Sequence, residues 1–313
     1  MAYTNIIGRA DVSDAMIPEQ TIPELIAAAT AESAIMTRAR RTQLSTRTAK
    51  QPVMAGLPDA YWVNGDAGLK QTTKALWDKI TITAEELAVI VPIPTAVVDD
   101  ANIPLWAQIR PLLGEAIGKA VDAAAIFGVN KPASWPSALV TGATAAGNVV
   151  QAGTDFAKAV SDLAELIDAK GYAVDGFACR PGLTWRLRGA RDLQGRPVFD
   201  SALDGTGTFS LFGFGLTEVR NGAWNPQAAE LVAADWSKLV FGVRQDVTYD
   251  LFSEGVISDD EGKVVLNLMQ QDSKAMRVVF RCGFAVATPV TRLEDDPAKR
   301  YPAGVVTPES AED

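Results

Sequence analysis

The chain has 313 residues, of which 48% are hydrophobic and 21% charged, a composition that is typical of a globular protein and excludes a disordered one. Its net charge of −9 argues against broad, sequence-independent contact with nucleic acid, which needs a surplus of lysine and arginine. The sequence contains no histidine, so it lacks the commonest general base, the usual zinc nitrogen ligand and the standard pH switch.

The N-terminal region predicts a helix and no export signal. The first twenty residues lack a basic region followed by an apolar core, and Glu24–Met36 is too short to span a bilayer, so we expect a soluble protein made in the cytoplasm. Residues Pro23–Ala39 predict a helix, because proline suits its first turn and apolar residues recur along one side.

A basic stretch follows this helix and contains no acidic residue before Asp59. Two interpretations stay open: a solvated strand face, or a segment that lies against an acidic neighbour. Its basic residues are Arg38, Arg40, Arg41, Arg47 and Lys50.

Residues Val53–Lys79 form a segment that glycine and proline interrupt repeatedly, although it carries large apolar side chains. Its length of roughly 27 residues exceeds the ~12–15 that are usual for a loop in a compact domain. Disorder is disfavoured, because exposed aromatic rings are costly. We therefore predict a long hairpin that projects onto another subunit. Its candidate interface residues are Tyr61, Trp62, Leu69 and Trp77, in addition to the basic residues above.

Alternating apolar residues predict a strand over Ile80–Pro94, whose end should lie at a sheet edge because its two prolines lack ladder donors. A long amphipathic helix is predicted over Ile103–Phe127. Asn102 is its expected cap, Pro104 fits its first turn, and Pro111 predicts a kink.

The middle of the chain predicts a surface connection over Ala133–Thr154, a second amphipathic helix over Asp155–Lys170 and a strand over Ala173–Cys179. A short helix from Pro181 and a glycine-rich loop over Asp192–Gly215 follow. The side chains expected to face inward from the second helix are Phe156, Val160, Leu163, Leu166 and Ile167.

The last third is rich in strands. Apolar residues alternate in Leu239–Leu251 and Met276–Val286, which predicts two half-buried strands of an antiparallel sheet, with Arg277 and Arg281 on the other face. The tail from Glu294 is acidic, and we expect it to be solvated or loosely attached.

Little in the sequence predicts chemistry. Cys179 and Cys282 each lie in an apolar run, which favours two reduced core thiols, although spacing alone leaves a disulfide open. The segment Gly205-Thr-Gly207 lacks the strand–turn–helix context of a dinucleotide fingerprint. An acidic cluster has the oxygen ligands of a cation site but is more simply an exposed turn. That cluster is Glu254, Asp259, Asp260 and Glu261.

Several stretches taken in order resemble the major capsid proteins of tailed bacteriophages. Ile93–Asn102, followed by Leu105-Trp106 and Leu113–Gly128, resembles the strand and spine helix of that family. Ala234–Val247 and the closing run Asp272–Pro289 resemble its later strands. The resemblance covers roughly residues 20 to 293.

The resemblance implies an α+β fold of the Hong Kong 97 type, built of an arm, an extended loop and two domains. The implied divisions are an N-terminal arm at 1–50, an extended loop at 51–80 overlying a neighbouring subunit, a peripheral domain with the spine helix at 81–134 and 251–293, an axial domain at 135–250, and an acidic C-terminal tail at 294–313.

The resemblance also implies the function: the major capsid protein of a tailed double-stranded DNA bacteriophage. Such a protein assembles with itself in the host cytoplasm, as hexamers and pentamers of an icosahedral shell that encloses the genome without sequence-specific binding. Scaffold, portal and decoration proteins are further candidate partners. We expect no enzymatic activity, no cofactor, no metal and no membrane association.

Some relatives in this family join subunits covalently, linking a loop lysine to an asparagine with the help of a glutamate. Lys70, Lys74 and Lys79 are candidate amines, but the partner positions hold Asp272 and Val279, so we expect no cross-link. The short arm, without an extended charged coiled-coil run, also predicts little or no proteolytic processing.

Two other functions stay open at this point. An encapsulin-type nanocompartment shell shares the fold but encloses a cargo enzyme. A carboxylate-dependent hydrolase with a β-rich domain belongs to a different class, and it would be a monomer with a ligand-filled cleft.

Overall fold

A computed structural model describes residues 33–63, 70, 72–100, 105–153, 155–189, 210–259 and 261–309. Several sequence predictions concern residues outside these ranges. They are most of the N-terminal arm and its helix, the predicted cap Asn102, the first-turn residue Pro104, the segment 190–209 with Gly205-Thr-Gly207, Leu69 and Asp260.

The first half of the described chain contains five helices and five strands. They are α1 (Ala34–Arg38), β1 (Arg40–Gln43), β2 (Thr48–Gly56), β3 (Leu76–Thr83), β4 (Glu85–Pro94), α2 (Thr95–Asp100), α3 (Leu105–Asp122), α4 (Leu139–Ala145), β5 (Val149–Gln151) and α5 (Phe156–Asp168).

The second half of the described chain adds one more α-helix and nine strands. They are β6 (Gly176–Cys179), α6 (Leu183–Gly189), β7 (Ser210–Leu211), β8 (Phe214–Glu218), β9 (Leu231–Ala234), β10 (Leu239–Phe252), β11 (Val256–Ser258), β12 (Val264–Asn267), β13 (Ser273–Val286) and β14 (Ala303–Thr307).

A four-stranded sheet in the order β1-β10-β13-β4 is built around two strands of 14 residues, β10 and β13. Both predicted half-buried strands are thus confirmed as antiparallel partners, with Phe241 opposite Phe284. Arg277 and Arg281 lie on the exposed face, as predicted, and pair with Asp250 and Glu86. Leu251 was predicted to face inward but is 57% exposed, because β10 extends beyond the covered part of the sheet.

The strand predicted over Ile80–Pro94 is in fact two strands divided at Ala84. β3 pairs with β2, whereas β4 pairs with β13 and occupies the sheet edge, where its prolines were expected. Periodicity alone missed the break because both strands keep alternating apolar residues across it.

The long helix α3 packs its buried side chains against the four-stranded sheet. It continues as a π-helical turn over Ala123–Phe127 and ends at Gly128, which has a φ of +78°. The predicted helix end is therefore confirmed, because glycine adopts the left-handed conformation without steric cost. Pro111 lies inside the helix, on its exposed side.

A six-stranded sheet in the order β5-β14-β9-β6-β8-β7 forms the second layer, covered by α5. The prediction of α5 is confirmed, and Asp155 caps it by accepting a hydrogen bond from the Lys158 amide. Leu166, however, is 37% exposed, because helical geometry turns it away from the face that buries Val160 and Leu163. The segment predicted as a surface connection over Ala133–Thr154 instead contributes α4 and β5.

The C-terminal tail is not loosely attached, contrary to the sequence-based prediction. Strand β14 lies inside the six-stranded sheet between β5 and β9, and Ala303, Val305 and Val306 are fully buried. The six acidic residues that suggested a solvated tail flank the apolar strand on both sides: Glu294, Asp295 and Asp296 precede it, and Glu309, Glu312 and Asp313 follow it. The chain thus returns to the second sheet after completing the first.

Cys179 and Cys282 are both buried and unpaired, which confirms the prediction of two core thiols. Burial raises the pKa of Cys179 and raises that of Cys282 to about 12. Both side chains are therefore neutral thiols at physiological pH, which is the unreactive form.

Candidate subunit interface

The segment predicted as a long hairpin is a two-stranded antiparallel ribbon made of β2 and β3. Among the described strands these two pair only with each other, and Met54 lies opposite Trp77. A two-stranded ribbon is marginally stable by itself, because no third element covers its faces. The ribbon and the described residues beyond its ends, 57–63, 70 and 72–75, are called the hairpin below.

The hairpin exposes its largest apolar side chains to solvent. Trp62 is 100% exposed, Trp77 67% and Leu76 58%, and Tyr61 and Val63 are exposed as well. Side chains of this size bury 150–250 Å² when they are covered, according to the general behaviour of aromatic residues. Such a concentration of exposed aromatic surface is typical of sites that interact with another molecule, which makes the hairpin the candidate interface.

The root of the hairpin has a small core of its own, made of Leu44, Ile82, Ala84, Val240 and Ala285. This core holds β3 against the four-stranded sheet.

Two glycines face each other across β10 and β13 at this root, Gly242 and Gly283. A Cβ added at Gly283 would lie 2.6 Å from the Thr83 carbonyl oxygen, and one at Gly242 would lie 2.7 Å from Leu44 Cδ1. The backbone of the hairpin can approach the sheet this closely only because both side chains are absent. The glycine pair therefore permits the close packing at the root of the hairpin.

A second contact supports the hairpin further along its length. The Val290 amide donates to the Met54 carbonyl oxygen at 2.9 Å. Arg292 donates to the Pro58 carbonyl oxygen at 2.6 Å and pairs with Asp59 at 3.0 Å. Because the ion pair is exposed, it contributes little stability.

The basic residues near the hairpin fall into two groups. Arg41 pairs with Asp246 at 3.5 Å, and Arg47 pairs with Glu85 at 3.4 Å, in exposed contacts within the subunit. Arg40 and Lys50 are exposed and form no ion pair with any residue in the described ranges. Among the basic residues predicted for the interface, these two cations are thus the ones available to an acidic neighbour, and the hairpin's own Lys70, Lys74 and Lys79 are exposed as well.

Arg38 lies elsewhere, in contacts within its own subunit, and its predicted place in a subunit interface stays a prediction. Its side chain is half-buried and donates to Thr217 Oγ1 at 2.5 Å. Its guanidinium also lies over the ring of Trp236, 6.0 Å from the centroid. Leu69, another candidate, lies outside the described residues.

A second exposed apolar patch was missed by the sequence analysis. It surrounds the β11–β12 hairpin at the far end of the four-stranded sheet, and it includes Leu251, Phe252, Val256, Val264 and Met269, each at least 37% exposed. The sequence signal that could have predicted this patch is the group of apolar residues in β12, directly after an acidic turn.

The acidic cluster in that hairpin is a turn. The Asp259 carboxylate accepts hydrogen bonds from the amides of Glu261 and Lys263, at 3.1 and 2.8 Å. Within the described ranges, no three histidine, cysteine or acidic side chains are grouped so as to hold a metal ion. Nor does any described helix combine the length and apolarity needed to cross a membrane.

Comparison with known proteins identifies the family. Residues 14–290 match the model of the phage capsid family, which is most of the chain. The chain therefore belongs to the phage capsid family. A curated relative, the major capsid protein of Staphylococcus phage 80alpha, is 26% identical over 237 residues, covering 74% of this chain and 70% of the relative.

Solved structures agree with this assignment. A chain from Mycobacterium phage Cain is 34% identical, with a TM-score of 0.79, over 98% of this chain and all of that one. One from Microbacterium phage Oxtober96 is 33% identical, also at 0.79, over 97% and 100% of the two chains. The capsid of an empty GTA particle, 16% identical with a TM-score of 0.64 over 96% and 94%, shares the fold.

The protein is thus a shell protein of a phage head with an α+β phage capsid fold, as the sequence resemblance implied. These findings give no support to the nanocompartment or hydrolase alternatives.

Proposed function

We propose that this chain is the major capsid protein of a tailed double-stranded DNA phage and assembles into hexamers and pentamers of an icosahedral shell. One observation carries the proposal: Trp62 and Trp77 are exposed on a hairpin whose root packs closely against the four-stranded sheet. A hairpin that is packed at its root and carries solvent-exposed tryptophans is suited to lie on a neighbouring copy of the chain. On this proposal Tyr61 and Leu69 belong to the same interface.

The energetics favour a partner of the same kind. Obligate interfaces bury about 2,000–5,000 Å² and are more apolar than transient ones. Association entropy and the ordering of loops offset most of the roughly 25 cal/mol per Å² gained. A closed shell repeats each contact many times, so modest contacts add up to a stable particle.

We propose a correspondence between the parts of the fold and the implied domains, with revisions: β1 and β10, implied as parts of the arm and the axial domain, belong to the four-stranded sheet. We assign the hairpin to the extended loop at 51–80, and the four-stranded sheet with α3 to the peripheral domain. The six-stranded sheet belongs to the axial domain. This last domain includes β14, so residues 303–307 are added to the 135–250 division and removed from the tail.

The role we propose is structural and not enzymatic. The net charge of −9 suits a shell that encloses DNA without gripping it. Assembly would take place in the host cytoplasm, where scaffold, portal and decoration proteins are candidate partners.

Electron microscopy of the purified protein and of the native particle tests this proposal. We expect closed shells with hexameric and pentameric capsomers, filled with double-stranded DNA in the native particle. A monodisperse monomer in both preparations would refute it, and packaged protein in place of DNA would favour a nanocompartment.

Assembly should weaken as salt rises if Arg40 and Lys50 face an acidic neighbour. The Debye length falls from about 10 Å at 0.1 M to about 3 Å at 1 M, which screens exposed ion pairs. Light scattering of assembling subunits across this range measures the effect. The matched variant Lys50→Gln should reduce the salt dependence, and an assembly rate indifferent to salt would exclude this role.

Mature particles should dissociate under denaturing conditions into single chains of 33.3 kDa. Lys70, Lys74 and Lys79 are available amines, but Asp272 and Val279 supply neither the asparagine nor the glutamate that the cross-linking chemistry requires. Denaturing electrophoresis with mass spectrometry checks this, and covalent multimers would contradict it.

A further inference from the structure

The short helix α1, at the root of the N-terminal arm, is attached to two other parts of the subunit. The first attachment is the Asp122 carboxylate, which belongs to α3 and is 0% exposed. It accepts hydrogen bonds from the amides of Ala34 and Ile35, each at 3.1 Å. It also accepts from Ser33 Oγ and Asn221 Nδ2, each at 2.8 Å.

The Asp122 carboxylate, although it belongs to α3, acts as an N-terminal cap of α1. Two amides of the first turn, which would otherwise lack partners, donate to it, while Ser33 Oγ accepts from the Met36 amide. A helix of five residues does not persist by itself in water, because its nucleation is too costly. Burial raises the pKa of Asp122, and its four hydrogen bonds oppose that effect.

The second attachment is at the other end of α1, where Arg38 lies across the six-stranded sheet. Gly176 of β6 and Gly215 of β8 are register partners there. A Cβ at Gly176 would lie 2.3 Å from one terminal nitrogen of Arg38, and one at Gly215 would lie 2.8 Å from the other. The two glycines therefore form a groove that accommodates the planar guanidinium.

Three further features hold Arg38 in this groove. Thr217 accepts its Nε hydrogen, and Trp236 covers one side of the guanidinium. Burial lowers the pKa of Arg38, and the negative charge of Asp175 opposes that shift. Because an arginine remains charged well above neutral pH, the attachment persists at physiological pH.

We propose that Asp122 and Arg38 are positioning residues that clamp the root of the N-terminal arm to α3 and to the six-stranded sheet. The chain before Ser33 then leaves every subunit from the same point and can reach the same neighbour in every copy. Fixing the root removes part of the ordering cost that the arm would otherwise meet on assembly. This inference rests on the proposed assembly function and adds the residues that direct one of its contacts.

The first test is Asp122→Asn, which keeps the shape of the side chain but replaces one carboxylate oxygen by an NH2 group. That group cannot accept the hydrogen bonds that the neighbouring donors make to Asp122. Hydrogen exchange of the unassembled subunit should become at least about tenfold faster at Ala34 and Ile35, because each loses a charge-assisted hydrogen bond. Exchange in β10 and β13 should not change, and the yield of closed shells should fall. Glu115→Gln removes the same charge from an exposed position on the same helix and should alter neither.

The second test addresses the other end and does not touch the buried carboxylate. Gly215→Ala places a methyl group 2.8 Å from the Arg38 terminal nitrogen and should expel the guanidinium from its groove. Exchange over 34–38 should again accelerate and shell yield should fall. Gly153→Ala is the matched control, since a Cβ there meets no atom within 4 Å.

The outcomes separate this inference from the proposed function. Wild-type exchange over 34–38 and wild-type shell yield in both variants would overturn the clamp. Hydrogen exchange that becomes uniformly faster, in β10 and β13 as well, would also overturn the clamp, because it indicates a general loss of stability. A wild-type chain that never assembles would refute the proposed function instead, whatever the exchange data show.

Discussion

The double variant Trp62→Ala with Trp77→Ala is expected to abolish shell assembly and to leave the melting temperature of the subunit unchanged. Trp62 is fully exposed and Trp77 67% exposed, so neither ring stabilises its own subunit appreciably. A tryptophan at the centre of an interface typically contributes at least about 2 kcal/mol to the binding free energy. The same loss would recur at every equivalent contact of the shell. A contact weakened by about 2 kcal/mol binds roughly 30-fold less tightly.

Sedimentation and electron microscopy measure assembly, and thermal unfolding monitors the subunit. Leu166→Ala is the control, because Leu166 is an exposed apolar residue on α5, far along the chain from the hairpin. Wild-type shell yield from the double variant would show that the tryptophans are not interface residues. A lowered melting temperature would show instead that they pack within their own subunit.

Gly283→Ala is expected to impair both the stability of the subunit and the placement of the hairpin. Its new Cβ would lie 2.6 Å from the backbone oxygen of Thr83, which cannot turn aside as a side chain can. Overpacking of this kind costs about 1–3 kcal/mol. Because Thr83 ends β3, the displacement is transmitted to the hairpin, and we expect shell yield to fall further than stability alone explains.

Chemical denaturation gives the loss of stability, and particle yield at matched folded fraction gives the loss of assembly. Gly242→Ala should be milder, because its Cβ meets the flexible end of Leu44 at 2.7 Å. Gly153→Ala should have no effect on either measurement. A Gly283→Ala chain with normal stability and normal shells would show that the hairpin root tolerates displacement.

The predictions that succeeded rest on residues close together in the sequence. The periodicity of α5 and the alternation in β10 and β13 describe faces that the same segment buries. The unusual length and aromatic content of the hairpin likewise predicted exposed tryptophans, because the segment lacks the periodicity that would place them on a buried face.

The predictions that failed depend on contacts between distant segments. Leu166 and Leu251 are apolar, but whether they are covered depends on how far the neighbouring layer reaches. Ala84 divides two strands only because its flanks pair with different partners, β2 and β13. Arg38 belongs to a basic run but lies inward because Gly176 and Gly215 are side by side in a sheet.

The sequence by itself indicated the family and the helices and strands with clear periodicity, and it led to the prediction that a partner covers Trp62 and Trp77. These follow from local patterns and from an ordered series of motifs. Only the tertiary structure showed that β14 belongs to the second sheet, that Gly242 and Gly283 allow close packing at the hairpin root, and that Asp122 accepts hydrogen bonds from the first turn of α1. The physical reason is that strand pairing, close packing of two backbones and the hydrogen bonds of a buried charge all join residues that are far apart in the chain. A local sequence pattern does not show which distant residues will meet.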